Sequence, residues 1–242
     1  MTFGSWKFES SPGHHCRSQL TAKETAIARQ AKAPDALHLH PGDLPAGLDF
    51  GGAVAIDTET TGLSLTRDRL CLAQLSAGNN ECHLVQFAET ADAPVPFPAP
   101  NFAALLADES VTKLYHFARF DVAVLERFVG PVRGPVYCTK IASKLTRTYS
   151  DRHGLKDLCR ELLNVEISKE QQSSDWGAAA LSDDQLNYAA QDVLYLHRLR
   201  ERLDQMLARK GRTELAAACF AFVPVRARLD LAGWPDVDIF AH

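Results

Sequence analysis

Residues 53–63 read Ala-Val-Ala-Ile-Asp-Thr-Glu-Thr-Thr-Gly-Leu, with Gly51-Gly52 just before them. Ala53 to Ile56 is a short, continuous apolar run without the polar alternation of a half-exposed strand. Such a run predicts a strand buried on both faces. Residues 57–62, directly after it, are polar and partly acidic. In an extended chain residues i and i+2 face the same side, so Asp57 and Glu59 converge where the buried strand ends. In open α/β sheets, sites are built at the carboxyl ends of strands. Two carboxylates close together repel and raise each other's pKa unless a cation neutralises them. Hard cations such as Mg²⁺ or Mn²⁺ prefer such oxygen donors. A solvated strand end shows the same Asp-x-Glu, so the pair alone does not define a site.

Working outward, Leu70–Ala77 and Glu81–Phe87 flank Gly78-Asn79-Asn80, which predicts a β-hairpin. Residues 88–100 hold four prolines and read as a loop. Asn101 is expected to cap a short helix, Phe102–Ala107. Thr112–Tyr115 and Val136–Cys138 are strand-like, with a helix between them from Ala118 to about Val129. Thr139–Arg147 and Gly154–Leu163 show helical spacing, and 164–181 reads as loop or single turns. Ser182-Asp-Asp-Gln185 is a capping box that opens a long helix to about Arg209. Strands come first, interleaved with helices, and helices end the chain. That order predicts an α/β layered domain with a mixed sheet.

Residues 1–34 are expected to be a flexible tail, in which His14-His15-Cys16 lacks partner ligands at a useful spacing. Residues 211–242 are expected to form an extension, with Phe222, Trp234 and Phe240, that packs on the domain or on a partner. The 242 residues carry 26 Lys and Arg against 30 Asp and Glu, a net charge of −4, so a strongly basic DNA-coating protein is not expected. A nucleic-acid enzyme with an acidic metal site stays open. No run of about 18 unbroken apolar residues occurs, so no membrane span is expected. The six cysteines form no CxxC pair and no secretory signal is visible, which points to a reducing, cytoplasmic setting.

Two further acids stand out. Asp121, in His116-Phe-Ala-Arg-Phe-Asp121, lies in the first turn of a helix that comes after a strand, where the helix dipole favours an acid even without function. Tyr188 and Asp192 are four residues apart on the long helix, hence on one face. They border the apolar arc of Leu186, Val193 and Leu196, where a carboxylate is costly without a charge partner.

Taken together, Asp57-Thr-Glu-Thr-Thr-Gly-Leu63, His116 to Asp121 and Tyr188 to Asp192 resemble the three motifs of the DEDD superfamily of 3′→5′ exonucleases, in its tyrosine-bearing branch. Phe117 stands where that family often has Asn. His153-Gly-Leu-Lys-Asp-Leu158, Ile167-Ser-Lys-Glu-Gln-Gln172, Ser174-Asp-Trp176 and Tyr188 to Tyr195 are further similar to ribonuclease D, over about residues 37–209. Ribonuclease D usually continues into helical accessory domains, and only 33 residues come after Arg209 here.

The resemblance implies a ribonuclease H-like mixed β-sheet flanked by α-helices, with an exonuclease domain over 35–210. It implies two divalent ions, Mg²⁺ or Mn²⁺, held by Asp57, Glu59, Asp121 and Asp192, with Asp57 bridging. Tyr188 would hold the attacking water. The implied partner is RNA with a single-stranded 3′ end, of the tRNA-precursor type, cut to nucleoside 5′-monophosphates. Substrate contacts implied are Thr60, Thr61 and Leu63, with backbone amides there meeting the terminal nucleotide, and His116, His153, Lys156 and Trp176. Six cations lie between 140 and 160 against two acids, an excess that suits a phosphate track or a solvated helix face. A DNA exonuclease of repair type and an inactive RNA-binding scaffold are the alternatives. The sequence sets no oligomeric state.

Overall fold

The computed structural model describes residues 28–87, 95–168, 170–171 and 173–242. His14-His15-Cys16 and the rest of the expected tail up to residue 27 lie outside them, as does the first half of the proline-rich loop. In chain order the elements are β1 (Arg29–Gln30), β2 (Ala36–Pro41), β3 (Ala53–Thr60), β4 (Leu70–Ser76), β5 (Glu81–Gln86), α1 (Pro100–Ala107), β6 (Thr112–Tyr115), α2 (Ala118–Phe128), β7 (Val136–Cys138), α3 (Thr139–Thr146), α4 (Leu155–Leu158), a π-helical turn (Cys159–Leu163), β8 (Val165–Glu166), α5 (Asp183–Leu194), α6 (Leu196–Arg209) and α7 (Thr213–Leu231).

Six strands form one mixed sheet in the order β2-β5-β4-β3-β6-β7. β3 pairs antiparallel with β4 and parallel with β6, so the run Val54-Ala-Ile56 is covered on all sides and fully buried. Helices flank the sheet, which is the α/β architecture expected. β3 continues beyond the apolar run because Asp57, Thr58 and Glu59 keep their ladder partners Gln74, Ala73 and Leu72. α5 packs on β3, β4 and β5, and α2 packs on the sheet with α7 against it. Among the described residues no helix is long and apolar enough to cross a membrane.

Several local expectations need correction. Asn101 is not the cap of α1. Pro100 opens the helix at its first position, and the Asp43 carboxylate accepts from the amides of Asn101 and Phe102 at 3.0 and 2.9 Å. The helix opened by Ser182 is interrupted at Tyr195, whose φ of −103° and ψ of −6° depart from ideal helix values within the right-handed region and whose hydroxyl accepts the Lys32 amide at 3.1 Å. α6 starts afresh beyond it. The 154–163 helix is one α turn followed by a π turn. β1 and β8, which pair in parallel, fall within the segments read as tail and loop. β2 went unpredicted, although Leu37-His38-Leu39-His40 alternates with a strand's period. α7 also went unpredicted. It runs through Pro224 and is tied to α2 by Asp230, whose buried carboxylate pairs with Arg119 and, at 3.0 Å, with Arg226. Phe222, Trp234 and Phe240 are 38%, 46% and 75% exposed, so packing among the described residues does not bury them.

Candidate active site

Three elements assemble the acids. β3 presents Asp57 and Glu59 on one face, α5 lays Tyr188 and Asp192 over it, and α2 carries Asp121 in its first turn. The capping box that starts α5 is complete: Ser182 Oγ accepts the Gln185 amide at 3.3 Å, and Gln185 Oε1 accepts the Ser182 amide at 2.9 Å. One carboxylate oxygen from each of Asp57, Glu59 and Asp192 lies within 4.8 Å of the others. Asp121 stands behind this trio. Thr58, which faces away from Asp57 along the strand, donates its hydroxyl to Asp121 at 2.8 Å. Among its neighbours, Asp121 still exerts the largest charge effect on Asp57.

Burial, then the charges of Asp121, Asp192 and Glu59, push Asp57 well above the usual carboxylate range. Burial, with Asp192 and Asp121, raises Glu59 to about 9. Burial raises Asp121 to about 7 against the hydrogen bond from Thr58. Desolvated, mutually repelling carboxylates are the groups most relieved by a divalent cation. Their donors are all oxygen, which fits Mg²⁺ or Mn²⁺ rather than a softer ion. Gln74 is a residue the motifs do not reveal. Its fully buried amide reaches Asp57 at 3.5 Å and Glu59 at 3.4 Å. A lone glutamine in Leu-Cys-Leu-Ala-Gln-Leu was the available signal.

A cleft of about 300 Å³ opens on this cluster, lined by Asp57, Glu59, Tyr188 and Asp192 with His116, Lys140 and Lys156. His116 Nδ1 lies 2.8 Å from Thr139 Oγ1, and burial with the charge of Lys140 drops its pKa to about 3. Lys156 pairs with Glu166 at 2.9 Å. His153 is half-buried, with Nδ1 2.8 Å from Ser143 Oγ.

Trp176 does not sit on a substrate rim. It is 4% exposed, behind Tyr188, with ring centroids 6.1 Å apart. Burying its large apolar ring outweighs presenting it to solvent. The Thr61 amide is not open to a nucleotide either, since it donates to the Arg69 carbonyl at 3.0 Å. Thr60 Oγ1 closes on the Gly62 carbonyl at 2.5 Å. A Cβ at Gly62 would sit 2.4 Å from Asp68 Oδ2, so a larger residue there would displace the Asp68 carboxylate. Leu63, by contrast, is 83% exposed. The cationic excess at 140–160 is partly neutralised internally. Arg147 is fully buried against Glu161 and the Arg152 carbonyl, and Arg160 pairs with Asp157 at 2.6 Å. Phe117, beside the cleft, has φ +75° and ψ 42°. That left-handed geometry strains a non-glycine residue and suits Asn, the residue common in the resembling family.

The sequence profile of the 3′-5′ exonuclease family matches residues 27–208. The chain belongs to the 3′-5′ exonuclease family. It is 33% identical over 165 residues to ribonuclease D of Acidiphilium cryptum, an alignment that covers 68% of this chain and 40% of that protein. Against the solved structure of Brucella melitensis NrnC bound to pGG it is 55% identical, with a TM-score of 0.80, covering 86% of this chain and 98% of that one. Brucella melitensis NrnC with bound Mg²⁺ gives 54% identity and a TM-score of 0.80 over 86% and 99%. The chain thus spans less than half of its ribonuclease D relative, and nearly all of the NrnC chains. The exonuclease fold that the motifs implied is the one found.

Proposed function

We propose that this exonuclease-family chain is a metal-dependent 3′→5′ exoribonuclease that releases nucleoside 5′-monophosphates, with Asp57, Glu59, Asp121 and Asp192 holding two Mg²⁺ or Mn²⁺ ions. The observation that carries it is the convergence of Asp57, Glu59 and Asp192 within 4.8 Å on a cleft that Tyr188 also lines. Two divalent ions there would activate the attacking water and stabilise the leaving 3′ oxygen.

The chain's own groups do the rest. With no ion bound, burial and the neighbouring charges of Asp192, Glu59 and Asp57 push the Tyr188 phenol further up. Its hydroxyl would hold the attacking water in line. His116, neutral at working pH, is a fixed wall and not a proton carrier. Lys140 and Lys156 set cations beside the path of the phosphates. Leu63, exposed just beyond β3, would wedge against the terminal base. A cleft of about 300 Å³ is at the small end of ligand sites and suits one nucleotide, with the remaining chain outside.

RNA is favoured over DNA by the ribonuclease D relative, and a short RNA end by the pGG-bound NrnC neighbour. A cytoplasmic setting, and a catalytic unit over 35–210 with 211–242 as an extension, belong to the same proposal. Matched RNA and DNA oligomers labelled at the 5′ end, incubated with Mg²⁺, Mn²⁺ or EDTA, test it. A ladder shortening from the 3′ end of RNA, abolished by EDTA, is expected. Faster digestion of DNA would move the assignment to repair-type chemistry, and no digestion of either would leave a scaffold.

A further inference from the structure

A second cluster of metal-binding side chains lies at the edge of the sheet. β2 and β5 run parallel with His38 opposite His83, so the two rings stand side by side with centroids 4.7 Å apart. His40, two residues on and therefore on the same face, places Nε2 3.0 Å from His83 Nδ1. Glu81 precedes His83 by two residues and also shares that face. One donor atom from each of His38, Glu81 and His83 lies within 4.8 Å of the others.

The strand registers separate this cluster from the acidic cleft. Leu84 stands opposite Gln74, whose amide reaches Asp57 and Glu59, whereas His83 stands opposite the next residue, Leu75. Side chains alternate along a strand, so the histidines and the acidic trio occupy opposite faces of the sheet, with β4 between their strands.

We propose that His38, His83 and Glu81 form a second metal site, independent of the acidic centre, that takes a divalent cation of the Zn²⁺ class. Two imidazoles and one carboxylate are a common donor set for such an ion, and three protein ligands leave a position open to water. Mg²⁺ and Mn²⁺ favour the all-oxygen cluster instead, so the two sites sort cations by donor type. His40 fits the role of outer support. With His83 Nδ1–H donated to His40 Nε2, the second ring nitrogen of His83 is left to meet the cation. Phe50 packs edge-on against the His83 ring at 5.6 Å and fixes its plane. His38 is exposed, so a cation enters from solvent. Among the described residues β2 is the outermost strand, hydrogen-bonded within the sheet to β5 alone, and a cation shared by the two would clip that edge in place.

Zn²⁺ titration by calorimetry on the full chain, with Mg²⁺ saturating the acidic site, tests the proposal. The double variant His38→Ala/His83→Ala should lose one bound equivalent that His14→Ala/His15→Ala/Cys16→Ala keeps. His40→Phe should weaken that equivalent by roughly 10–100-fold. Mg²⁺-dependent activity of the double variant, without zinc, should stay within about twofold of the parent and so report an intact fold. Should the double variant fail to fold, ring signals of the unmutated chain in NMR give the same answer. Those of His38 and His83 should move with Zn²⁺ while those of His116 and His197 stay. Retention of the equivalent by the double variant, its loss with the tail variant instead, or unmoved His38 and His83 signals would overturn the site.

Discussion

Glu59→Gln should stabilise the metal-free protein while destroying its metal response. Glu59 ordinarily ionises at 4.5, and burial among Asp192 and Asp121 raises it to about 9. At pH 7 the unfolded chain carries the ionised side chain and the folded chain the protonated one. Folding therefore takes up a proton across the interval from 4.5 to 7, at about 1.4 kcal/mol per pH unit, or roughly 3 kcal/mol. The sign comes from the raised pKa. The penalty is absent below 4.5 and grows as pH rises through the interval toward 9. Glutamine keeps the shape and can still accept the long hydrogen bond from Gln74, but takes up no proton. In EDTA at pH 7 the variant should melt higher by roughly 6–12 °C, at 2–4 °C per kcal/mol for a chain of this size. The gap should close near pH 4. Adding Mg²⁺ should then reverse the order, because ligand binding to the folded state stabilises the parent by mass action and the variant far less. Thermal melts at several pH values, with EDTA or Mg²⁺, measure all of this. A variant no more stable than the parent in EDTA at pH 7, or a gap that ignores pH, would refute a desolvated acid crowded by like charges.

Tyr188→Phe removes one hydroxyl and keeps the ring beside Trp176, so kcat should drop about 100-fold, the low end for a positioned polar group, while Mg²⁺-dependent thermal stabilisation stays unchanged; full kcat would make Tyr188 a packing residue. Phe117→Val should cost about 1–2 kcal/mol at a site 45% exposed, since a β-branched residue is poorly tolerated at φ +75°. Phe117→Asn should fall close to the parent, because relief of strain offsets the lost contact with Lys140, 4.4 Å over the ring; urea titrations compare them. A 3′ overhang on a hairpin should be trimmed to within a few nucleotides of the stem and then stall, as each base-pair step opened costs about 1.4 kcal/mol. Rapid digestion of a blunt hairpin, seen on a sequencing gel, would contradict a cleft that admits one strand.

Local geometry pairs the candidate acids, but only their order along the chain, which resembles the three exonuclease motifs, singled them out. Asp57 and Glu59 share a face through the two-residue period of a strand, Tyr188 and Asp192 through one helical turn, and Asp121 through its place after a strand. The hairpin and the capping box came from the same short-range signals. None of these depends on what the rest of the chain does.

The surroundings of those acids were another matter. Arg147 belongs to a cationic run in the sequence, yet it is buried because Glu161 and the Arg152 carbonyl fold back around it. Trp176 looks like a base-stacking ring and instead backs Tyr188 from the core. Gln74 carries no motif, and matters only because β4 pairs with β3 in a register that sets it opposite Asp57. His38 and His83 stand 45 residues apart and become neighbours only when β2 joins β5. Local periodicity decides which way a side chain points along its own element. Burial, pKa and partnership are properties of segments distant in sequence brought within a few ångströms, and they exist only once the sheet and its helices have closed around them.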